Sequence, residues 1–133
     1  MATRSRIGIQ LSDDSILSVY HHWDGYPTWL GRILKTHYNT KAKVAELIDG
    51  GDMSSCWTDS IWGDKLPEGE YSPEYYSARG ESCPPRLDDD ITEFLDNGEE
   101  YSYIFTRADE WICYDLHDIT GKLTEIPEGA LAV

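Results

Sequence analysis

The densest run of chemically capable side chains is Tyr20-His21-His22-Trp23-Asp24-Gly25-Tyr26-Pro27-Thr28-Trp29-Leu30-Gly31-Arg32. Aromatic faces such as those of Tyr20, Trp23, Tyr26 and Trp29 stack on a base or another planar ring. Arginine and histidine supply charge-assisted contacts to phosphate or ribose. A helix opening near Pro27 would point backbone N–H groups at an anion. Arg4, Arg6 and Lys35 add positive charge close by. This pattern favours binding of a small anionic, nucleotide-like ligand by Arg4, Tyr20, His22, Trp23, Tyr26, Trp29 and Arg32. The same residues also read as ordinary structure. Trp23, Tyr26 and Trp29 would then be core at a strand–helix junction, Asp24 a cap or turn residue, and Gly25 and Gly31 sites of unusual backbone or close packing.

Catalysis needs a nucleophile, a base and an orienting group within reach. The available pieces are His21 or His22, Asp24, and Cys56 or a serine. No nucleophile elbow, phosphate loop or paired-histidine zinc motif surrounds them. A metal site at His21-His22 is disfavoured because adjacent strand residues point to opposite faces; it would have to recruit His37 or His117. The expectation is therefore no enzyme, no metal and no cofactor. A different chemistry lies further along. Asp88, Asp89, Asp90, Glu93, Asp96, Glu99 and Glu100 fall within one short window. As a negative stripe, Asp88, Asp89, Asp90, Glu93 and Asp96 could imitate DNA phosphates or dock on a basic host protein. They also read as a dipole-favoured first helical turn with a solvated face.

Several elements must position these residues. Alternation over Arg6–Leu11 and Ile16–Trp23, around the turn cluster Ser12–Ser15, predicts an N-terminal β-hairpin. On its second strand Leu17, Val19, His21 and Trp23 share one face, and Ile16, Ser18, Tyr20 and His22 the other. Pro27 opens a helix carrying Trp29, Leu30, Ile33, Leu34, His37 and Tyr38 at helical spacing. Thr40 caps a second helix over Lys41–Asp49, with Val44, Ala45, Leu47 and Ile48 inward, and Gly50-Gly51 ends it. Residues 51–86 read as an irregular, aromatic-rich excursion with short strands around Ser60–Trp62 and Glu70–Tyr76. Asp88–Leu95 reads as a helix buried through Ile91, Phe94 and Leu95. Tyr101–Thr106 and Trp111–Leu116 form a second hairpin, and a short strand runs from Lys122 to Ile126. Hairpins without β-α-β alternation predict an α+β fold in one small domain over 1–133. Its expected architecture is an antiparallel sheet with two to three helices packed on one face.

Composition bounds the rest. The 133 residues carry 25 acids against 11 Lys/Arg, a net charge of −14. The first 43 residues hold six Lys/Arg against three acids, net +3. The remainder holds five against 22, net −17. That balance argues against long nucleic acid as a partner, since neutralising phosphates takes excess Lys/Arg. It leaves room for a small anion where the acids are few. No apolar run reaches the roughly 18 residues of a membrane span, and no signal-peptide pattern opens the chain. Three cysteines without close pairing suit free thiols in a reducing compartment.

The opening Met1-Ala2-Thr3-Arg4-Ser5-Arg6-Ile7-Gly8-Ile9 and the string His22-Trp23-Asp24-Gly25-Tyr26-Pro27 resemble a group of small tailed-bacteriophage proteins, cyanophage members included. Gly50–Ser55 and Tyr101–Phe105 with Trp111 are similar as well. The resemblance implies a phage accessory protein acting in the host bacterial cytoplasm, where small acidic phage proteins antagonise host defence. The combined expectation is a non-enzymatic counter-defence protein that sequesters a nucleotide-derived immune signal. The alternative is an acidic inhibitor or DNA mimic blocking a host defence protein. Either reading is compatible with a homo-oligomer.

Overall fold

The computed structural model describes residues 3–22, 25, 27–55, 74–76, 80, 83–96, 99–116, 122–124 and 126. The N-terminal hairpin forms as its alternation requires, with β1 (Ser5–Gln10) antiparallel to β2 (Ile16–His21) and Ser5 opposite His21. Its turn is shaped by Asp14 in the left-handed region (φ 68°) and by the Asp13 carboxylate, which accepts from the Ser15 N–H and hydroxyl. Asp tolerates that backbone because its short side chain bonds locally. A π-helical turn (Pro27–Gly31) runs into α1 (Arg32–His37). Thr40 Oγ1 accepts from the Lys43 N–H and caps α2 (Lys41–Asp49), satisfying one of the donors a helix start leaves open.

The chain then gives β3 (Met53–Ser55), β4 (Glu74–Tyr75) and β5 (Arg86–Asp88), followed by the short α3 (Ile91–Leu95). The second hairpin is β6 (Tyr101–Phe105) and β7 (Trp111–Asp115), and β8 (Lys122–Thr124) pairs with β7. The strand expected at Ser60–Trp62 lies outside the described residues.

The described strands share one sheet of order β4-β3-β2-β1-β6-β7-β8, with β5 also on the outer edge of β2. The α+β reading stands in its coarse form, but the purely antiparallel sheet is corrected. The two hairpins join through β1 and β6, which run parallel with Ser5 opposite Tyr101, and β2 and β3 are parallel as well. Period-two patterning identifies a strand and its faces. It carries no information about the direction of the neighbour, which the long connection between the hairpins decides.

Helices on a single face are corrected too. The first face of the sheet, carrying Ile7, Ile9, Val19, Tyr103, Phe105 and Cys113, is covered by Leu30, Ile33, Leu34, Val44, Leu47 and Ile48 of the π turn, α1 and α2. Ala45 of α2, expected inward, is exposed. The second face has its own small core, in which Phe94 of α3 packs on Ile16 and Ile104. Gly8 makes that packing possible. A Cβ there would lie 2.7 Å from Ile16 Cγ2 and 3.3 Å from the Phe94 ring.

Polar side chains tie the helical layer to the sheet. Trp111 Nε1 donates to Tyr38 O, Tyr75 OH to Leu47 O, and the buried Tyr103 OH to Gly25 O at 2.6 Å. Such bonds matter because a buried hydroxyl without an acceptor costs about 1–3 kcal/mol. No helix among the described residues is long and apolar enough to cross a membrane.

Candidate functional site

Strand parity decides which side chains can meet. Arg6 of β1, and Arg4 just before the strand, precede Gly8 with the same parity. On β2, Ser18 and Tyr20 continue to His22. Arg6 sits opposite Tyr20 across one ladder and opposite Ser102 across the other, and Arg86 of β5 sits opposite Ser18. One end of the second face therefore carries Arg6, Ser18, Tyr20 and Arg86, with Arg4 and His22 just beyond the strand ends, while Asp88 lies opposite Ile16, farther along.

Arg6 is the centre of this group and is only 8% exposed. Its Nε donates to Ser18 Oγ at 3.0 Å and its Nη2 to Ser18 O at 3.2 Å. Burial lowers the guanidinium pKa from its ordinary value, and the nearby Arg86 cation adds to that. The carboxylates of Asp52, Asp88 and Glu99 act in the opposite sense. Arg86 places Nε and Nη2 each 3.0 Å from Asp88 Oδ2, and that carboxylate is almost fully buried.

The Tyr20 hydroxyl and His22 Nδ1 are 2.6 Å apart, the direction of donation following the imidazole tautomer. The Tyr20 N–H donates to Asp52 Oδ1. Burial, then the charge of Glu99, pushes the Tyr20 phenol up to about 12, while Arg4 acts against them. The phenol is therefore a neutral hydrogen-bonding group. Glu99, at the entry to β6, has its carboxyl pKa raised by burial, against the pull of Arg4 and Arg6.

Three of the seven residues expected to bind a ligand are thus brought together: Arg4, Tyr20 and His22. Trp29 belongs to the π turn and Arg32 to α1. Both elements cover the first face, so the sheet stands between them and Tyr20 and His22; the Trp29 and Arg32 side chains are not described. Trp23 and Tyr26 lie outside the described residues. Arg6 and Arg86, which are not among the seven, lie on the same face as Tyr20. The i, i+2 spacing of Arg4 and Arg6 was the signal for the first. No alternation announces the three-residue β5, so Arg86 had none.

His21 points the other way and is completely buried on the first face, where desolvation and then the neighbouring His22 bring its pKa down to about 3. It is a neutral core residue. Burial also pushes the Cys113 thiol up to about 12, which removes the thiolate a nucleophile needs. Cys56, Asp24 and His117 lie outside the described residues. Among the described residues no three His, Cys, Asp or Glu side chains are grouped as metal ligands.

The acidic stretch is not one stripe. Asp88 is in β5 rather than in a helix and is spent on Arg86. Asp90 is the N-cap of α3, accepting from the Glu93 N–H at 2.8 Å. Asp89, Glu93 and Asp96 remain exposed. The helix starts at Ile91 because Asp90 has the extended backbone of a cap.

No family model, curated protein or solved structure matches the chain.

Proposed function

We propose that this protein is a non-enzymatic binder that sequesters a small, anionic, nucleotide-derived signal, as a phage counter-defence protein in the host bacterial cytoplasm. One observation carries the binding part: Arg4, Arg6 and Arg86 converge with Tyr20 and His22 on adjacent strands. Guanidiniums offer fixed donor forks to phosphate oxygens. Tyr20 and His22 offer ring faces and a polar edge next to them. All of these residues lie on or beside a rigid ladder, which lowers the ordering cost of binding. The biological setting rests on the resemblance of the N-terminal stretch and the His22–Pro27 string to small phage proteins.

The reading is tested by thermal melting with a panel of mono-, di- and cyclic nucleotides. A ligand at about a hundred times its Kd stabilises the folded state by roughly 2.7 kcal/mol and raises Tm by several degrees. The exposed Arg4→Ala should reduce that shift with no loss of basal Tm. Neutralising Asp89, Glu93 and Asp96 together should leave the shift intact. A panel that never moves Tm, or a shift that depends on those acids, would remove the basis for the reading. The acidic alternative is supported by Asp89, Glu93 and Asp96 alone. It predicts salt-sensitive capture of a basic host protein that these neutralisations abolish.

A further inference from the structure

A cavity of about 430 Å³ lies beside α2, which covers the first face, whereas Arg6 lies on the second. That volume falls within the roughly 300–1,000 Å³ of small-molecule sites. Tyr38 and Tyr75 form two of its walls, and both are held in place. The Tyr38 N–H donates to Leu34 O at 2.9 Å, and Tyr38 O accepts from Trp111 Nε1 at 2.8 Å. The Tyr75 hydroxyl donates to Leu47 O at 2.7 Å. The Tyr75 ring also lies against Gly50, where a Cβ would be 2.2 Å from Cζ and 2.3 Å from Cε1, so only glycine leaves room for it. The charged wall comes from α2. Helical spacing puts Lys43, Glu46, Leu47 and Gly50 on one side, with Asp49 beside them. Glu46 and Asp49 are exposed in the last turn, and no basic residue stands there. The end of a helix dipole favours cations and disfavours acids. The last turn of α2 thus gathers negative charge where a helix favours positive charge, a local conflict of the kind that functional sites carry.

We propose that this cavity is a second binding site, one that takes a quaternary ammonium group. Tyrosine rings attract such a cation through their quadrupole. Glu46, Asp49 and the carbonyl end of α2 supply the negative field around it. The buried Leu47 gives the methyl groups an apolar floor. A hard divalent ion suits these walls less well, because it takes about six or more oxygen ligands. Lys43, exposed on the same wall, repels a bound cation and limits its affinity. The walls hold their places through backbone and hydroxyl bonds within the fold, so little ordering cost falls on binding. This site is separate from the arginine group, and its ligand has the opposite charge.

The test titrates choline, and separately a short peptide carrying trimethyllysine, into the full chain. Kd is read by NMR from the Tyr38 and Tyr75 rings and the Gly50 N–H, with the Arg6 Nε–H as a remote control. At least one probe should give saturable shifts at the cavity, and the tighter one tells a free metabolite from a modified lysine side chain. The uncharged carbon isostere of choline, 3,3-dimethylbutanol, should bind at least about fivefold more weakly than choline if choline is the tighter probe; if the peptide is, its unmethylated lysine counterpart should bind more weakly by a similar factor. Glu46→Gln with Asp49→Asn, both on the exposed side of α2, should weaken the tighter probe by about three- to tenfold. Lys43→Ala should tighten it. Glu93→Gln with Asp96→Asn, on α3, should leave Kd unchanged. No saturation at the cavity by either probe overturns the site. An equal Kd for the matching control ligand, or an equal loss from the α2 and α3 pairs, overturns it as well. These comparisons need only ligands and surface variants, so they do not depend on the folding of a tyrosine variant. None of the outcomes involves Arg4 or Arg6, so the anion reading stands or falls separately.

Discussion

Replacing His21 with Gln isolates a single buried titration. His21 is fully buried with its pKa brought down to about 3, by desolvation first and His22 second. In the unfolded chain the imidazole titrates near about 6.5. Below that value the unfolded state takes up a proton that the folded state refuses. The neutral burial of His21 therefore contributes stability that is fully present above about pH 6.5 and is lost as pH falls toward about 3. Each pH unit in that window should divide the folding constant by up to about ten, roughly 1.4 kcal/mol. Gln cannot titrate, so His21→Gln starts less stable at neutral pH from lost packing, and its gap to the unaltered chain should close as pH falls. Glu99 acts with the opposite sign: its raised carboxyl pKa costs the folded state stability as pH rises. It does so equally in both proteins and cancels in the difference. Urea unfolding from about pH 7 down to about pH 4.5 measures the gap, and NMR of the imidazole follows its protonation directly. A constant gap, or a His21 ring that titrates near 6.5 in the folded protein, would refute the reasoning.

Two further substitutions test the framework that holds the site. Phe94→Ala empties the small core between α3 and Ile16, Gly8 and Ile104, and should cost about 3–5 kcal/mol in chemical unfolding. A loss below about 1 kcal/mol would mean that α3 does not clamp the second face. Gly51 has a φ of +88°, and a Cβ there would lie 2.2 Å from the Cys83 carbonyl oxygen. Gly51→Ala should therefore destabilise by more than about 2 kcal/mol, adding left-handed strain to displacement of the 83–85 backbone. An unchanged Tm would show that the close approach of Gly51 to the Cys83 carbonyl is not a fixed part of the fold.

The sequence made face membership legible wherever alternation was sustained. Tyr20 and His22 share the second face and His21 the first, as the period of two requires. The cap at Thr40 and the inward Val44, Leu47 and Ile48 were equally readable, because capping and helical spacing are local properties. What alternation cannot carry is the identity of a neighbouring strand. Nothing within Ser5–Gln10 states that its second partner is Tyr101–Phe105 running parallel, so the meeting of Arg6 with Ser102 was hidden. β5 was hidden for another reason. Three residues after Pro84-Pro85 give no period to detect, and the three consecutive aspartates pulled the helix start forward to Asp88. The structure separates them by role: Asp88 pairs with Arg86, Asp89 is exposed, and Asp90 caps α3.

That separation changes the meaning of the net charge. A total of −14 describes long-range steering, which repels polyanions. It does not describe the field at Arg6, where charges within a few ångströms dominate and salt screens little. Of the carboxylates that reach Arg6, Asp88 is consumed by Arg86 and Asp52 by a backbone N–H. Glu99 is the third, and the charges of Arg4, Arg6 and Arg86 act on it in turn. An acidic protein can therefore hold a local anion site if its acids are tied down by specific bonds. The measurable consequence is that raising the salt concentration should weaken capture of the proposed nucleotide ligand only modestly. Neutralising Arg4 should weaken it more than adding several positive charges to the remote face of α2 strengthens it.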